Sequence, residues 1–174
     1  MPNWCEVDMV VSGDPAAVLE FRAKVEKVEA AEDSNLPAKR VYEIFQSCLP
    51  TPAELADTVS PVPDSVSPEE RADLVAKYGA DNWYDWQHQN WGVKWGDCRT
   101  QLLATIDDQA LGFTFDTPWG PPIAGLLTIS TQWPTLVFEI KYFESGMQYQ
   151  GEWRAQNGQV LHNAQAFYDG DRGG

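Results

Sequence analysis

Asp85, His88 and Cys98 are the residues whose side-chain types could support nucleophilic chemistry in this chain. Asp85 precedes His88 by three residues, a spacing that places both side chains on one face of a helix. A histidine oriented by a carboxylate can deprotonate a thiol, so the trio would permit covalent catalysis if Cys98 lay beside it. No catalytic motif surrounds Cys98, and a surface role is usual for a histidine in such a context. The sequence therefore favours a protein that is not an enzyme, with this trio as the enzymatic alternative.

Metal, phosphate and cofactor sites have still less support. Asp81, Asp85 and His88 could share a metal ion, but they lack the HxH or HExxH spacing of metal sites. Neither GxxxxGK[ST] nor GxGxxG is present to cradle a phosphate group. The cysteines are widely spaced among apolar neighbours, which predicts buried free thiols: Cys5, Cys48 and Cys98. We predict no metal and no cofactor.

Tryptophans are concentrated in two short segments, NWYDWQHQNWGVKWG at residues 82–96 and FDTPWGPP at residues 115–122. An indole offers a large apolar area and one N–H donor, so such segments either lock a loop onto the protein body or form a recognition surface. The first segment is too irregular for one amphipathic helix, which favours a loop wedged against the body. The candidate binding residues are Trp83, Trp86, Asn90, Trp91, Lys94, Trp95 and Trp119.

An acidic helix is predicted at residues 67–78, where Ser67 is the N-cap, Pro68 follows and Gly79 ends the helix. Its candidate binding residues are Glu69, Glu70 and Asp73. The whole chain has 12 basic and 26 acidic residues, a formal net charge of -14. That charge repels phosphate backbones and anionic lipid, which predicts no direct nucleic-acid binding and no membrane association. An acidic surface suits a basic protein partner, although solubility alone would also explain it.

Hydrophobic periodicity predicts an α+β fold of one domain. Without an insertion, the order of elements is β-α-β-β-α-β, the ferredoxin-like plan of an antiparallel sheet with two helices on one face. The domain spans residues 1–168, a Pro- and Trp-rich insertion occupies about 34–97, and a flexible tail follows at 169–174. The insertion is a candidate cover for the other face of the sheet. An additional edge strand at 159–168 makes a homodimer possible, because strand edges invite pairing. The predicted strands are 4–11, 41–45, 97–106, 111–116, 136–143 and 147–155, and the predicted helices, besides the acidic one, are 14–31, 52–57 and 123–132.

Four motifs together resemble one family: the opening PNWC, the segment NWYDWQHQNWGVKWG, the run FDTPWGPP and the later YFESGMQYQGEW. The combination is similar to the YubB-like family of plasmid and bacteriophage proteins with a ferredoxin-like domain. The resemblance implies a mobile-element accessory protein and no particular biochemical activity. It does not imply an iron–sulfur cluster, since three scattered cysteines cannot supply four ligands. One departure is Val93, where a small polar residue is usual in the family.

The expected function is that of a non-catalytic phage or plasmid accessory protein in the host cytoplasm. It would bind a host or defence-system protein, or a defence signal, through the acidic helix and exposed tryptophans. A cytoplasmic setting is expected because the N-terminal sequence lacks the basic and apolar regions of a signal peptide. The alternative is a small-ligand or nucleotide-binding protein that uses Asn90, Lys94 and the tryptophans. A structural component of virions is a further class, for which the chain lacks obvious assembly arms.

Overall fold

The structure, a computed structural model, describes residues 2–30, 38–107, 109–170 and 172, with the backbone alone for residues 104–107. Parts of three predictions lie outside these residues: the end of the helix at 14–31, the start of the insertion at about 34–97 and the flexible tail at 169–174. The described elements are, in order, β1 (Trp4–Gly13), α1 (Pro15–Val25), β2 (Glu26–Glu29), β3 (Lys39–Tyr42), α2 (Phe45–Cys48), α3 (Ala53–Ala56), α4 (Pro68–Tyr78), α5 (Trp83–Trp91), β4 (Cys98–Asp107), β5 (Ala110–Pro118), α6 (Ile123–Ser130), β6 (Leu136–Glu144), β7 (Tyr149–Gln156) and β8 (Gln159–Phe167).

Six strands form one antiparallel sheet in the order β4-β5-β1-β6-β7-β8. The central strand β1 pairs with β5 on one side and β6 on the other, so that Val7 lies between Phe115 and Tyr142. With α1 and α6, the strands β1, β4, β5 and β6 have the connectivity and order of the split βαβ plan. A hairpin of β7 and β8 extends the sheet beyond β6. The predicted α+β, ferredoxin-like antiparallel sheet is therefore confirmed.

One face of the sheet is buried beneath helices because apolar residues alternate along its strands. On β1 the buried side chains are Cys5, Val7, Met9 and Val11, and on β6 they are Leu136, Phe138, Ile140 and Tyr142. Phe21 of α1 packs edge-on between the two layers, with its ring centroid 6.2 Å from that of Phe113 and 5.5 Å from that of Phe138. Each such fully buried side chain stabilises the fold by roughly 1.5–3 kcal/mol.

The insertion joins the helical layer, and on the opposite face of the sheet it reaches Trp4 through Trp95 but leaves residues such as Lys141 exposed. Helix α5 packs against α6, and the centroid of the Trp91 ring lies 5.6 Å from that of Phe45 in α2. Gly125 permits this approach, since a Cβ there would lie 2.4 Å from Cε1 of Phe45 and 3.0 Å from Cα of Trp91. The prediction of the insertion as a cover is wrong, because its apolar side chains are buried beside those of α6. The outer face of the sheet, which includes Trp4, Glu6, Asp8, Lys141 and Phe143, is only partly buried.

Helix α1 ends at Val25, six residues before the predicted end at Ala31. Glu26 is extended, with φ -76° and ψ 129°, and begins a two-stranded sheet in which Val28 lies opposite Arg40. Pairing with β3 overrides the local helical pattern from Glu26 onward, and Val28 is exposed in β2. Within α1 the large apolar side chain of Leu19 is also exposed. The strand predicted at residues 41–45 is β3, shifted two residues toward the N-terminus, and Phe45 begins α2 instead.

Strand β8 forms an outer edge of the six-stranded sheet, and its nine residues are all exposed. The strand contains no proline and no lysine, the residues that commonly protect an edge from pairing. Three of its exposed side chains are apolar and large: Val160, Leu161 and Phe167. A homodimer formed through this edge remains a prediction. No helix in the described part of the chain is long and apolar enough to cross a membrane.

Candidate functional site

The tryptophan segment is a helix in its first half, which corrects the prediction of a loop. Asn82 caps α5 by accepting a 2.9 Å hydrogen bond from the backbone N–H of Asp85 through its side-chain oxygen. Gly92 ends the helix in the left-handed conformation, with φ 83°. The hydrophobic pattern did not reveal this helix, because it is held by its two caps and by burial of one side. A sequence signal was nonetheless present in Asn82, the first residue of the segment, and in Gly92 after Trp91.

Two of the candidate binding tryptophans belong to the core. Trp86 and Trp91 are 6% and 2% exposed, and their ring centroids lie 5.8 Å apart. The Trp91 indole N–H donates a 2.9 Å hydrogen bond to the Leu49 carbonyl, which satisfies the buried donor. Val93, two residues after Trp91, is 3% exposed and adds apolar packing. In this arrangement Trp86 and Trp91 hold the insertion on the domain and present no binding surface.

Trp83 and Asn90 also have structural partners. The Trp83 ring is partly buried with its edge toward Tyr84, at a centroid distance of 5.7 Å. The Asn90 side-chain amide donates a 2.9 Å hydrogen bond to the Trp86 carbonyl one helical turn earlier. The amide donor that was predicted to contact a ligand therefore contacts its own helix. Trp83 and Asn90 are therefore less exposed than Trp95.

Trp95 and Trp119 are the exposed members of the candidate set, each at 47%. Both have positive φ angles, 64° for Trp95 and 71° for Trp119. Bulky residues rarely adopt this conformation, and it persists only where surrounding contacts impose it. The backbone N–H of Trp95 donates a 2.7 Å hydrogen bond to the side-chain oxygen of the buried Gln87. The backbone N–H of Trp119 donates to the Asn3 carbonyl at 2.9 Å, and its own carbonyl accepts from the Tyr149 hydroxyl at 2.7 Å.

Trp4 lies near both of these exposed residues. Its ring centroid lies 6.4 Å from that of Trp95, and on β1 it pairs with Pro118, the neighbour of Trp119. The Lys94 ammonium lies 4.0 Å from the centroid of the Trp95 ring, and the Arg99 guanidinium lies 4.8 Å from that of Trp4. Such cation–π contacts contribute about 0.5–1 kcal/mol each at exposed sites. We call this surface the tryptophan edge: Trp4, Lys94, Trp95, Arg99 and Trp119.

Sequence reasoning missed Trp4 and Arg99 as site residues. A signal for Trp4 was available, because the alternation along β1 places it on the face opposite the buried Cys5. Arg99 had no such signal. Its φ of 59° and its 2.7 Å ion pair with Asp116 on the neighbouring strand depend on the pairing of β4 with β5. That ion pair makes Asp116 a positioning group for Arg99.

A shallow polar cavity of about 370 Å³ opens beside the tryptophan edge on the outer face of the sheet. Its lining includes Trp4, Glu6, Arg99, Gln101, Thr114 and Asp116. An indole, a guanidinium and a carboxylate thus border one depression. This arrangement combines a stacking surface with hydrogen-bond donors and acceptors.

The acidic helix α4 forms as predicted. Ser67 and Glu70 make reciprocal capping-box hydrogen bonds, and Gly79 ends the helix with φ 81°. None of its residues is buried, and Glu69, Glu70 and Asp73 are exposed. Glu70 and Asp73 border a groove that also contains Lys77, whose ammonium pairs with Glu54 across the groove. Neither Trp95 nor Trp119 lines this groove, so the acidic helix and the tryptophan edge are separate candidate surfaces.

His88 and Cys98, two of the three residues that could support catalysis, lie in different surroundings. The charges that act on His88 come from Asp85 and Lys94, whereas those that act on Cys98 come from Asp97, Arg99 and Asp116. Among the described residues, no hydrogen bond joins His88 to Cys98. The geometry therefore does not assemble this trio into a nucleophile–base pair.

The cysteines are free thiols. Cys5 and Cys48 are buried in the core, as predicted, and burial raises the pKa of each thiol to about 12. Cys98 is only partly buried, which corrects the prediction for that residue, and burial raises the pKa of its thiol as well. Within the residues that the structure describes, no three His, Cys, Asp or Glu side chains are grouped closely enough to hold a metal ion.

His88 is partly buried against the Tyr84 ring, with the two ring centroids 4.3 Å apart. Its Nε2 atom is buried and has no hydrogen-bond partner among the described residues. Burial is the largest influence and lowers the pKa of the imidazole, while the Asp85 carboxylate opposes this shift and the Lys94 ammonium adds to it. A proton on this ring would therefore be unfavourable in the folded state.

We expect stability to fall as the pH falls through the histidine range. Because folding lowers the pKa of His88, the unfolded state binds more protons between that folded value and about pH 6.5. The unfolding free energy of the wild type should decrease in this window, and His88→Gln should lose this part of the decrease. Urea unfolding of both proteins at about pH 7.5 and about pH 5.5 measures the difference. Equal pH dependence in the two proteins would contradict the assignment.

Comparison with known proteins supports the fold. Residues 90–166 match a family model described as a ferredoxin-like domain in Api92-like protein. The chain also matches the crystal structure of a protein api92 from Yersinia pseudotuberculosis with a TM-score of 0.57 and 11% identity, over 99% of this chain and 100% of that chain. No curated protein matches the chain. At such low identity the structural match shows a shared fold alone. Through residues 90–166, the chain is similar to the ferredoxin-like domain of Api92-like proteins.

Proposed function

We propose that this protein is a non-catalytic binding protein whose tryptophan edge contacts a partner protein. The observation that carries the proposal is the fixed presentation of two half-exposed indoles. Trp95 and Trp119 both have positive φ, and hydrogen bonds from their backbone N–H groups hold both in place. An aromatic side chain that is already ordered loses little conformational entropy on binding. Tryptophan is also the residue type most often responsible for binding energy at protein interfaces.

The charge of the chain favours a protein partner over a nucleic acid. The net charge of -14 opposes approach of a phosphate backbone, and the two cations of the tryptophan edge are partly engaged. Lys94 lies over the Trp95 ring, and Arg99 is paired with Asp116. The exposed acidic helix with Glu69, Glu70 and Asp73 would serve as a second, separate contact for a basic partner.

In biological terms, we propose a phage or plasmid accessory protein that acts in the host cytoplasm by binding a host or defence-system protein or a defence signal. This part of the proposal rests on the sequence motifs that resemble the YubB-like family. Three of the four motifs contribute to the tryptophan edge: Trp4 in PNWC, Lys94 and Trp95 in the first tryptophan segment, and Trp119 in FDTPWGPP. That shared location is the reason for assigning the contact to these residues.

The proposal is tested by capturing a partner from host lysate with the wild-type protein and with variants in which one exposed tryptophan at a time is replaced. Trp95→Ala and Trp119→Ala should each weaken partner binding by about tenfold or more, as truncation of an interface tryptophan commonly does. Leu161→Ala is the control, because it removes a large exposed apolar side chain from the end of β8 that pairs with Arg154 and Ala155, away from Tyr149 and Trp119. Affinity of the purified partner is then measured by calorimetry, with thermal unfolding as the check on folding. Unchanged affinity in both tryptophan variants would count decisively against the tryptophan edge as the contact.

A small-ligand or nucleotide-binding role is the second candidate. The cavity beside Trp4 favours it, because Arg99 and Asp116 offer a donor and an acceptor next to an indole. A ligand stacked there should change tryptophan fluorescence, and Trp4→Phe should remove most of the change. Titration with nucleotides and sugars distinguishes this role from protein binding, which needs no such ligand.

A further inference from the structure

A second site on the outer face of the sheet is formed by two carboxylates and an aromatic ring. Glu6 and Asp8 are two residues apart on β1, so their side chains leave the same face of the sheet. Phe143 lies directly opposite Glu6 on the adjacent strand β6. Lys141, the strand partner of Asp8, pairs with Glu152 at 3.2 Å instead and leaves the two carboxylates to another cation.

That cation is an arginine of the same chain, Arg172. Its guanidinium carbon lies 4.4 Å from the centroid of the Phe143 ring. One guanidinium nitrogen donates to Oδ2 of Asp8 at 2.5 Å and another to Oδ1 at 3.1 Å, while Nε donates to Glu6 at 3.3 Å. The guanidinium is thus held by two hydrogen bonds to the Asp8 carboxylate, by one to the Glu6 carboxylate and by the face of the Phe143 ring. This set of contacts matches the planar, five-donor geometry of guanidinium and matches an ammonium poorly.

The contact with Arg172 is partly open to solvent. The side chain of Arg172 is 40% exposed, and those of Glu6 and Asp8 are 30% and 36% exposed. Ion pairs at this exposure contribute little net stability, because water solvates the separated partners well. The backbone of Arg172 is held by a residue close to it in sequence: its carbonyl accepts a hydrogen bond from the Tyr168 hydroxyl. Arg172 can therefore leave the site without disrupting the sheet.

The surface continues past the arginine as a shallow cavity of about 390 Å³. Phe143 is shared by the site and the cavity, which extends across β7 to β8. The remaining lining includes Lys141, Gln150, Glu152, Ala164 and Ala166. The small side chains of Ala164 and Ala166 leave room for the residues that flank an incoming arginine.

We propose that Glu6, Asp8 and Phe143 form a recognition site for an arginine side chain on a basic partner polypeptide, and that Arg172 occupies it in cis as a built-in competitor. The net charge of -14 favours approach of such a partner. The site does not depend on the tryptophan edge, so either can be correct without the other. Arg172 competes with the arginine of the partner because it belongs to the same chain as the site and therefore has a high effective concentration there.

A labelled peptide of one arginine flanked by two glycines on each side serves as the probe, and the lysine version is the matched control. Arg172→Ala should bind the arginine peptide about tenfold more tightly than the wild type, because the competitor is gone. The same variant should prefer arginine to lysine by at least about tenfold. Adding Asp8→Asn, or separately Phe143→Leu, should weaken binding strongly, whereas adding Trp95→Ala should leave it unchanged.

Backbone amide spectra of each variant confirm folding and show whether the peptide shifts the signals of residues 6, 8 and 143. Equal affinity of wild type and Arg172→Ala for the peptide would overturn the competition. Absence of binding to Arg172→Ala, or equal binding of the lysine peptide, would overturn the recognition site itself. The other occupant to test is the Arg172 side chain of a second copy of this chain, and sedimentation measures the oligomeric state. A wild-type dimer that becomes a monomer in Arg172→Ala would assign the site to that second copy and overturn the proposal of a different partner polypeptide.

Discussion

Replacement of Trp91 by alanine is expected to lower the free energy of unfolding by about 3–5 kcal/mol, the range for truncating a large core aromatic residue. The indole is 2% exposed and packs against Phe45 and Trp86. Its loss leaves a cavity between the insertion and the helical layer, and it also removes the donor to the Leu49 carbonyl. Because Trp91 connects α5 to both α2 and the loop after α2, the insertion should detach before the sheet unfolds.

Trp95→Ala is the matched comparison within the same segment. Trp95 is half-exposed, so its truncation should change the unfolding free energy by less than about 1 kcal/mol. Urea unfolding followed by circular dichroism measures both variants, and tryptophan fluorescence reports the insertion separately. A loss of similar size for the two variants would show that the segment does not divide into a core part and a surface part.

Asp97→Ala is expected to cost about 3 kcal/mol, because two buried backbone N–H groups lose a charged acceptor. The Asp97 carboxylate accepts from the N–H of Ile44 at 2.8 Å and of Phe45 at 2.9 Å, and from the Thr100 hydroxyl at 2.6 Å. It thereby joins the start of α2 to the start of β4, two segments more than fifty residues apart in sequence. Ile44 and Phe45 are fully buried, so water cannot replace the lost acceptor.

Asp97→Asn provides the graded control for this prediction. Burial raises the pKa of Asp97 although its hydrogen bonds act in the opposite direction, so the charged carboxylate carries a desolvation penalty. Asparagine avoids that penalty and keeps one acceptor oxygen, and its loss of stability should be clearly smaller than that of alanine. Urea unfolding at neutral pH compares the three proteins. A loss below about 1 kcal/mol for alanine would indicate that the two amides find other partners.

Much of the fold was predictable because its signals are local. Alternation of apolar residues identified β1, β5 and β6, and the N-cap Ser67 with the following Pro68 identified α4. The order of these elements then led to the ferredoxin-like plan, since few topologies join them with short connections. Prediction failed at α1, whose end at Val25 depends on pairing of Glu26–Glu29 with a strand ten or more residues later. Local propensity contains no information on such a partner.

The candidate site was predictable only as a set of residue types. The sequence by itself determined that indoles are concentrated at residues 82–96 and that the chain carries a strongly acidic net charge, and it left burial of the indoles open. The tertiary structure alone decided which indoles are buried. Trp91 faces α6 and Trp95 lies past the glycine that ends α5, and this difference follows from the caps of one helix and its packing on another. Trp4, Arg99 and Arg172 reach their partners only through the sheet, because strand pairing brings together residues that are distant in sequence.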